Sequence, residues 1–584
     1  MLPRWLIGLA ALPLWLALPG ASGSARAETL PAPNQVSPII FPPQSLTKPP
    51  PGFTVSAREA IGLANATEQV RSARAAHPQL AAHAFISPLK LRTGTYYHWE
   101  VYYSDKGKQL VEVDSDVAGH VLEIQTAPDV GWPLVRGYPG VLGGRLNAAY
   151  IWLPLCFVFI LPFVDPRRPR RLLHLDLLVL LGFGVSQWFF TRGEPDVSVP
   201  LVYPFLVYVV VRGVLAALMP RRRAGPLIPF ASTRLLTVSV LALLLLRAAF
   251  GLTDSQTTDI TTAGVVGADR ILHGQQLYTD NAFHGDTYGP VNYLMYVPFE
   301  LAAPYDAEAG DVNGAARPAT LFFDLLVVVG LGLLGRQLRP GAPGRRLGAA
   351  LAFAWVACPY SALVIASNTN DALVPVFVVY ALLLLRPAPA RGVFGALAAM
   401  AKIAPAILAP ALIAGRERLR LRSAVVAGGA YAIVSIAFVV AFLPPGGLRE
   451  LWDTTIGFQL GRESPLSIWV REPSIDWLRH CFSALAVLLA VASGLVPRRR
   501  STGQIAAWCA ALLALVQISA NYWLYFYVIW FAPFLLLAIF EEYRDLGPRQ
   551  ASVTSDFVKP EMVSQPSSVT ATRSSMRTPS LPGK

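Results

Sequence analysis

Charge is scarce in this chain. Only 15% of its 584 residues are Asp, Glu, Lys or Arg, where a soluble protein carries about a quarter. With 54% hydrophobic residues and a mean hydropathy of +0.46, that shortage excludes an ordinary soluble globule and points to a polytopic membrane protein. Cysteine is rarer still. Cys156, Cys358, Cys481 and Cys509 fall in or beside apolar runs with no paired spacing. They read as small core residues and not as a disulfide framework or a metal site. No GxGxxG or Walker pattern is present, so no nucleotide cradle is expected. His273 and His284 stand apart with no carboxylates at ligand spacing, so no metal is expected. No internal repeat of the kind common in transporters is found.

The positive excess of 13 charges comes in short clusters between apolar runs: 166–171, 221–223, 336–346, 416–422 and 498–500. Such clusters mark cytoplasmic loops and not a nucleic-acid surface. Residues 1–27, with Arg4, an apolar run and a small-residue exit at Ala27, read as a secretory signal peptide. An uncleaved anchor helix is the other reading. Residues 28–53 form a Pro-rich, extended linker. Residues 54–128 read as a small exported α+β domain. In it, 56–73 forms one amphipathic helix with Ser56 as cap and Glu59 as its capping-box partner. Alternating strands follow at 96–104 and 108–116 around Asp105-Lys106-Gly107, and a turn at Gly119-His120 leads into 121–125.

Apolar runs then predict an all-α polytopic bundle of about 11–13 spans, each needing about 20 residues. Three accessory spans fill 147–231, and the main membrane domain fills 232–543, with a break expected at Lys402 and Pro405 inside 392–415. Residues 544–584 are a Ser/Thr/Pro-rich tail, expected to be disordered and cytoplasmic. With every basic cluster inside, the loop 253–304 lies outside, at a bacterial plasma membrane. The same face collects Asp254, Asp259, the polar knot Ser367 to Asp371, Lys402, Arg462, Glu463, Arg471, and the turn Asn521 to Tyr525. Asp324 lies inside a span and needs a polar partner.

Two resemblances attach to these residues. Val113, Asp114, Gly119 and Val121 form a hairpin pattern that resembles a PepSY domain, a class of regulatory or binding units. The stretch 259–278, followed by the YGP turn at Tyr288, Gly289 and Pro290, resembles the first large loop of family 87 glycosyltransferases. These are polyprenyl-phosphate-dependent mannosyltransferases and their kin, of the GT-C fold. The helix pair 396–412 and the turn 365–377 resemble the same family, over 235–540 in all. The chain adds the exported domain and three spans to that pattern.

The resemblance implies transfer of a sugar, mannose or arabinose, from polyprenyl phosphate to a lipid or cell-envelope acceptor, with inversion and no cofactor. A carboxylate must take the acceptor proton. Asp259 is the candidate base, against the bland reading of a helix N-cap, and Asp254 is the second candidate. The leaving phosphate needs a cation. Lys402 is the first choice, set against snorkelling to the interface, and Arg462 and Arg471 follow. Asn370 and Asp371 would orient sugar hydroxyls or cap the next helix. Tyr278, Tyr288 and Trp452 would stack on substrate or belong to the interfacial belt. The alternatives are a transporter or flippase of polyprenyl-linked sugars, and an envelope sensor built on the PepSY-like unit.

Overall fold

A computed structural model describes residues 41–543, except 92–93, 107, 131, 138–139, 222, 224, 279–286, 307–310, 417–419 and 463. The signal peptide, most of the linker, the tail, Glu463 and His284 lie outside the described residues.

The first unit is a four-stranded antiparallel sheet in the order β1-β2-β3-β4, with β1 Ala81–Leu91, β2 Gly94–Asp105, β3 Lys108–Ser115 and β4 Val121–Thr126. Two helices, α1 Ala57–Asn65 and α2 Glu68–Ala76, cover one face. The expected capping box is present: Ser56 N donates to Glu59 Oε2 at 2.7 Å, and Glu59 N donates to Ser56 Oγ at 3.4 Å. The single helix expected over 56–73 is two helices. The chain breaks at Ala66-Thr67, where Thr67 Oγ1 donates to Ala64 O at 2.7 Å and competes with helix continuation. β1, which the sequence reading did not anticipate, pairs with β2 from Ala81↔Ser104 to Leu91↔Gly94. Alternation places Trp99, Val101, Tyr103, Val111 and Val113 beneath the helices. His98, Glu100 and Tyr102 are left on the opposite face.

The second unit is helical. Among the described residues, eight helices are long and apolar enough to cross a membrane: α3 Leu172–Phe190, α4 Pro195–Leu218, α5 Thr233–Thr253, Asn313–Leu338, Leu421–Ala441, Pro473–Leu495, Thr502–Ser519 and Tyr525–Glu542. A ninth is obtained if Gly341–Val356 and Pro359–Ala366, bent by 52°, count as one span. The expected 11–13 crossings are therefore not all continuous helices of spanning length. Ala149–Phe163, Asn370–Leu383 and Ala404–Ala414 are shorter, because proline, the polar knot and the break after Ala401 interrupt the apolar runs. The architecture is that of a multi-pass helical protein.

The helices sort the charges to two ends. Arg171 donates to Pro226 O and lies over the Tyr543 ring. Arg223 pairs with Glu542, Arg339 caps the carbonyls of 540, 541 and 543, and Arg346 reaches Ile228 O. Arg500 N donates to Arg416 O, and Ser501 Oγ to Glu541. All five basic clusters thus meet around one end of the last helix. Inside the bundle, Asp324 finds the partner it needed: Arg247 Nη1 at 2.7 Å, joined by Trp355 Nε1 at 2.7 Å. Ser361 Oγ accepts from Arg247 Nη2 at 2.6 Å and closes the network.

Candidate functional site

The opposite end of the last helix carries Tyr527 and Trp530, and there the sequence-predicted residues converge. Helix α6 (Asp259–Leu272) starts from Thr258, whose side chain forms a capping box with Thr261. The cap is therefore Thr258, and Asp259 is the first helical residue. Its side chain is exposed, with Oδ1 accepting from Ile260 N at 2.9 Å. Thr261 Oγ1 donates to Asn368 O at 2.6 Å, which ties this helix start to the polar knot.

The knot is fully buried. Asn368, at φ +48, donates from Nδ2 to Ser255 Oγ at 2.8 Å and to Gln256 O at 3.1 Å. Asn370 Nδ2 donates to Asn292 Oδ1 at 2.7 Å. This bond joins two helix starts and leaves Asn370 Oδ1 buried with no hydrogen-bond partner. Asp371 is 0% exposed and accepts on Oδ1 from Lys402 Nζ at 2.7 Å and from Trp530 Nε1 at 3.0 Å. Its Oδ2 is buried with no hydrogen-bond partner.

Lys402 ends the helix Ala388–Ala401, labelled α7 here, in an extended conformation, and a short 3₁₀ turn begins at Ala404. The expected break is present at the expected lysine. Its side chain is 5% exposed, so it does not snorkel to solvent. The ammonium lies over the rings of Tyr288 at 5.1 Å, Trp530 at 5.2 Å and Tyr527 at 6.0 Å. The YGP turn sits against this break so closely that a Cβ on Gly289 would lie 1.9 Å from Met400 O. Tyr288 therefore faces the site. Tyr278 does not: it is fully buried at φ +63, and its hydroxyl donates to Tyr288 O at 2.8 Å, so it positions Tyr288.

Arg462 completes the constellation. Its guanidinium lies 4.0 Å over Tyr522 and 5.1 Å over Trp132, and Tyr522 packs on Tyr527 at 6.1 Å. Asp259 opens the helix that Thr261 ties to the polar knot. Two cations, Lys402 and Arg462, and the Asp371 carboxylate thus share an aromatic box built from six separate chain segments: Trp132, Tyr288, Asp371, Lys402, Arg462 and 522–530. Sequence reasoning named Tyr522 only as part of a turn and missed Tyr527, Trp530 and Trp132. The aromatic density of 522–530 was the available signal.

Other candidates lie elsewhere. Asp254 caps α5 and stands 3.7 Å from Arg145 Nε. Arg471 is engaged by Asp129, by Asp196 and by Pro465 O. Trp452 is exposed at the end of a short helix. A separate group of metal-ligating residues sits in the sheet: His98, Glu100 and Asp114 are buried with their ligand atoms within 4.8 Å of one another. Strand register makes this group, since Glu100 faces Asp114 across β2 and β3. Linear spacing does not show it.

No protein-family model matches this chain, and no curated protein matches it significantly. Fold and site together define a multi-pass helical protein whose polar, aromatic-lined constellation lies at the bundle end away from its basic clusters.

Proposed function

We propose that this protein is an integral-membrane glycosyltransferase. It moves a sugar, mannose or arabinose, from a polyprenyl-phosphate donor to a lipid or cell-envelope acceptor on the outer side of a bacterial plasma membrane. The observation that carries this reading is the Lys402–Asp371 pair, buried in an aromatic box that also holds Arg462, with Asp259 on the helix that Thr261 ties to the same polar knot. A buried lysine held by one carboxylate is a costly arrangement, and such arrangements concentrate at functional sites.

In the reaction, the acceptor hydroxyl oxygen forms a bond to the anomeric carbon as the bond from that carbon to the phosphate oxygen breaks. Attack from the face opposite the leaving oxygen inverts the centre. Asp259 takes the hydroxyl proton, for which its exposed position at the helix start leaves one carboxylate oxygen open. The phosphate leaves with its electron pair, and Lys402 and Arg462 meet the developing charge. Asp371 holds Lys402 in place, and Tyr288, supported by Tyr278, offers a ring to the sugar. The chemistry requires no metal or other cofactor.

The test is transfer from radiolabelled polyprenyl-phosphate mannose and arabinose in membranes carrying wild type or Asp259→Asn. Wild-type transfer with loss in the variant, at equal insertion, supports the reading. Transport of the lipid-linked sugar across vesicles without any transfer would replace it with a flippase.

A further inference from the structure

A large cavity lies at the other end of helix α7 from Lys402. Arg391 and Lys402 are eleven residues apart on one helix, a rise of roughly 16 Å. The cavity measures about 1180 Å³ and is lined by Arg386, Arg391, Arg416, Arg420, Arg499 and Arg500, with no acidic residue among its described lining. Four of these arginines are exposed at the rim, and Arg391 and Arg500 are buried.

The two buried guanidiniums are bonded to neutral groups. Arg391 donates to Leu385 O at 2.9 Å, to Ile413 O at 3.0 Å, and to Ser423 Oγ at 2.8 Å and O at 3.3 Å. Its Nε is buried without a hydrogen-bond partner. Arg500 donates to Gly415 O at 2.6 Å, to Gly494 O at 3.1 Å and to Ser493 O. The two meet at Gly415, whose φ of +67 favours glycine and where a Cβ would lie 3.0 Å from the Arg391 Cζ. At the edge of this lining, Ser501 Oγ donates to Glu541 Oε2 at 3.2 Å.

Topology alone explains basic residues in a loop. It does not explain two arginines buried together with carbonyls and a hydroxyl as partners, because carbonyl dipoles solvate a cation without neutralising it. Among the described residues no carboxylate pairs with Arg391 or Arg500, and a bound anion would supply that charge. Guanidinium forks match phosphate oxygens in pairs, and Arg386, Arg391, Arg416, Arg499 and Arg500 around so large a space exceed the needs of a single phosphate.

We infer that this cavity binds a ligand carrying two or more phosphate groups, at a site separate from the aromatic box. Two sources share that chemistry. One is the headgroup of a diphosphatidyl lipid, since basic pockets between membrane helices take such headgroups and the neighbouring helix Leu421–Ala441 exposes Leu421, Val425 and Ile433. The other is a soluble polyphosphate.

The experiment uses the purified full chain. One arm titrates tripolyphosphate into detergent-solubilised protein and reads calorimetric Kd, with citrate as a carboxylate control of similar charge. The other arm places the chain in phosphatidylcholine nanodiscs with or without diphosphatidylglycerol, and reads lipid retention by native mass spectrometry and the unfolding midpoint. Each arm is repeated with the rim variant Arg386→Gln/Arg416→Gln/Arg499→Gln, whose exposed positions leave the buried pair intact. Saturable binding in either arm, weakened tenfold or more in the variant, supports the site and identifies its source. Binding in neither arm, equal binding of citrate, or unchanged affinity in the rim variant overturns it.

Discussion

Lys402 Nζ lies 2.7 Å from Asp371 Oδ1, and both side chains are buried. The ammonium sits at the broken end of one helix, and the carboxylate at the 3₁₀ start of another. Neither segment can shift without exposing an unpaired charge to an apolar interior. Removing one partner of a buried pair costs about 3–5 kcal/mol, while replacing both with apolar residues is often neutral. Lys402→Met and Asp371→Asn should each lower the thermal midpoint of the purified protein, and Lys402→Met/Asp371→Leu should recover it. Sugar transfer should stay lost in all three. Recovery of transfer in the double variant would remove Lys402 from the chemistry.

Gly289 offers a geometric test. A Cβ there would meet Met400 O at 1.9 Å, a backbone atom that cannot rotate away. Gly289→Ala should push the Tyr288 turn off the helix break and lower transfer at least tenfold. Gly332→Ala, with open space around it, is the control. It should be neutral or more stable by about 0.5–1 kcal/mol, the usual gain of alanine over glycine inside a helix.

The pair Arg247–Asp324 is structural in this reading, because Trp355 and Ser361 close it off from the box. Arg247→Leu should destabilise by about 3–5 kcal/mol, and Arg247→Leu/Asp324→Leu should regain most of that. Transfer per folded molecule should remain near wild type in the double variant. A specific loss of turnover with normal stability would assign the pair to the mechanism.

In the sheet unit, burial pushes the Glu100 carboxyl up, but hydrogen bonds from His98, Ser87 and Tyr102 and the His98 charge outweigh it. Glu100 therefore titrates below the ordinary glutamate range. A depressed folded pKa adds stability that is fully present above the unfolded value, about 4.3, and is lost as pH falls through the lower folded value. Hydrogen exchange of 97–115 in the full chain, corrected for intrinsic pH dependence, should show protection falling over that acid window. Glu100→Gln should flatten the fall. Protection that falls equally in the variant would assign the acid sensitivity to other groups.

Much of this arrangement is legible in the residues themselves. The Ser56–Glu59 box, the strand alternation and the helix break at Lys402 are local matters of spacing and chemistry, and each appears where expected. Errors arose where locality fails. The cap that stands as the bland alternative for Asp259 falls to Thr258, and 56–73 reads as one helix until Thr67 turns its hydroxyl onto Ala64 O. Apolar runs read as spans until a 52° bend or a polar knot divides them.

Composition and periodicity by themselves determined that this chain is a multi-pass helical protein, that its basic residues come in clusters, and that polar groups interrupt its apolar runs at a few positions. These are properties of single residues and their near neighbours, and solvent transfer and backbone geometry act on them directly. Only the tertiary structure decided that Lys402 pairs with Asp371, that Trp132, Tyr522, Tyr527 and Trp530 wall the box, and that six arginines surround one cavity. Such contacts join segments tens to hundreds of residues apart. They depend on which helix ends packing brings together, and no local pattern encodes that.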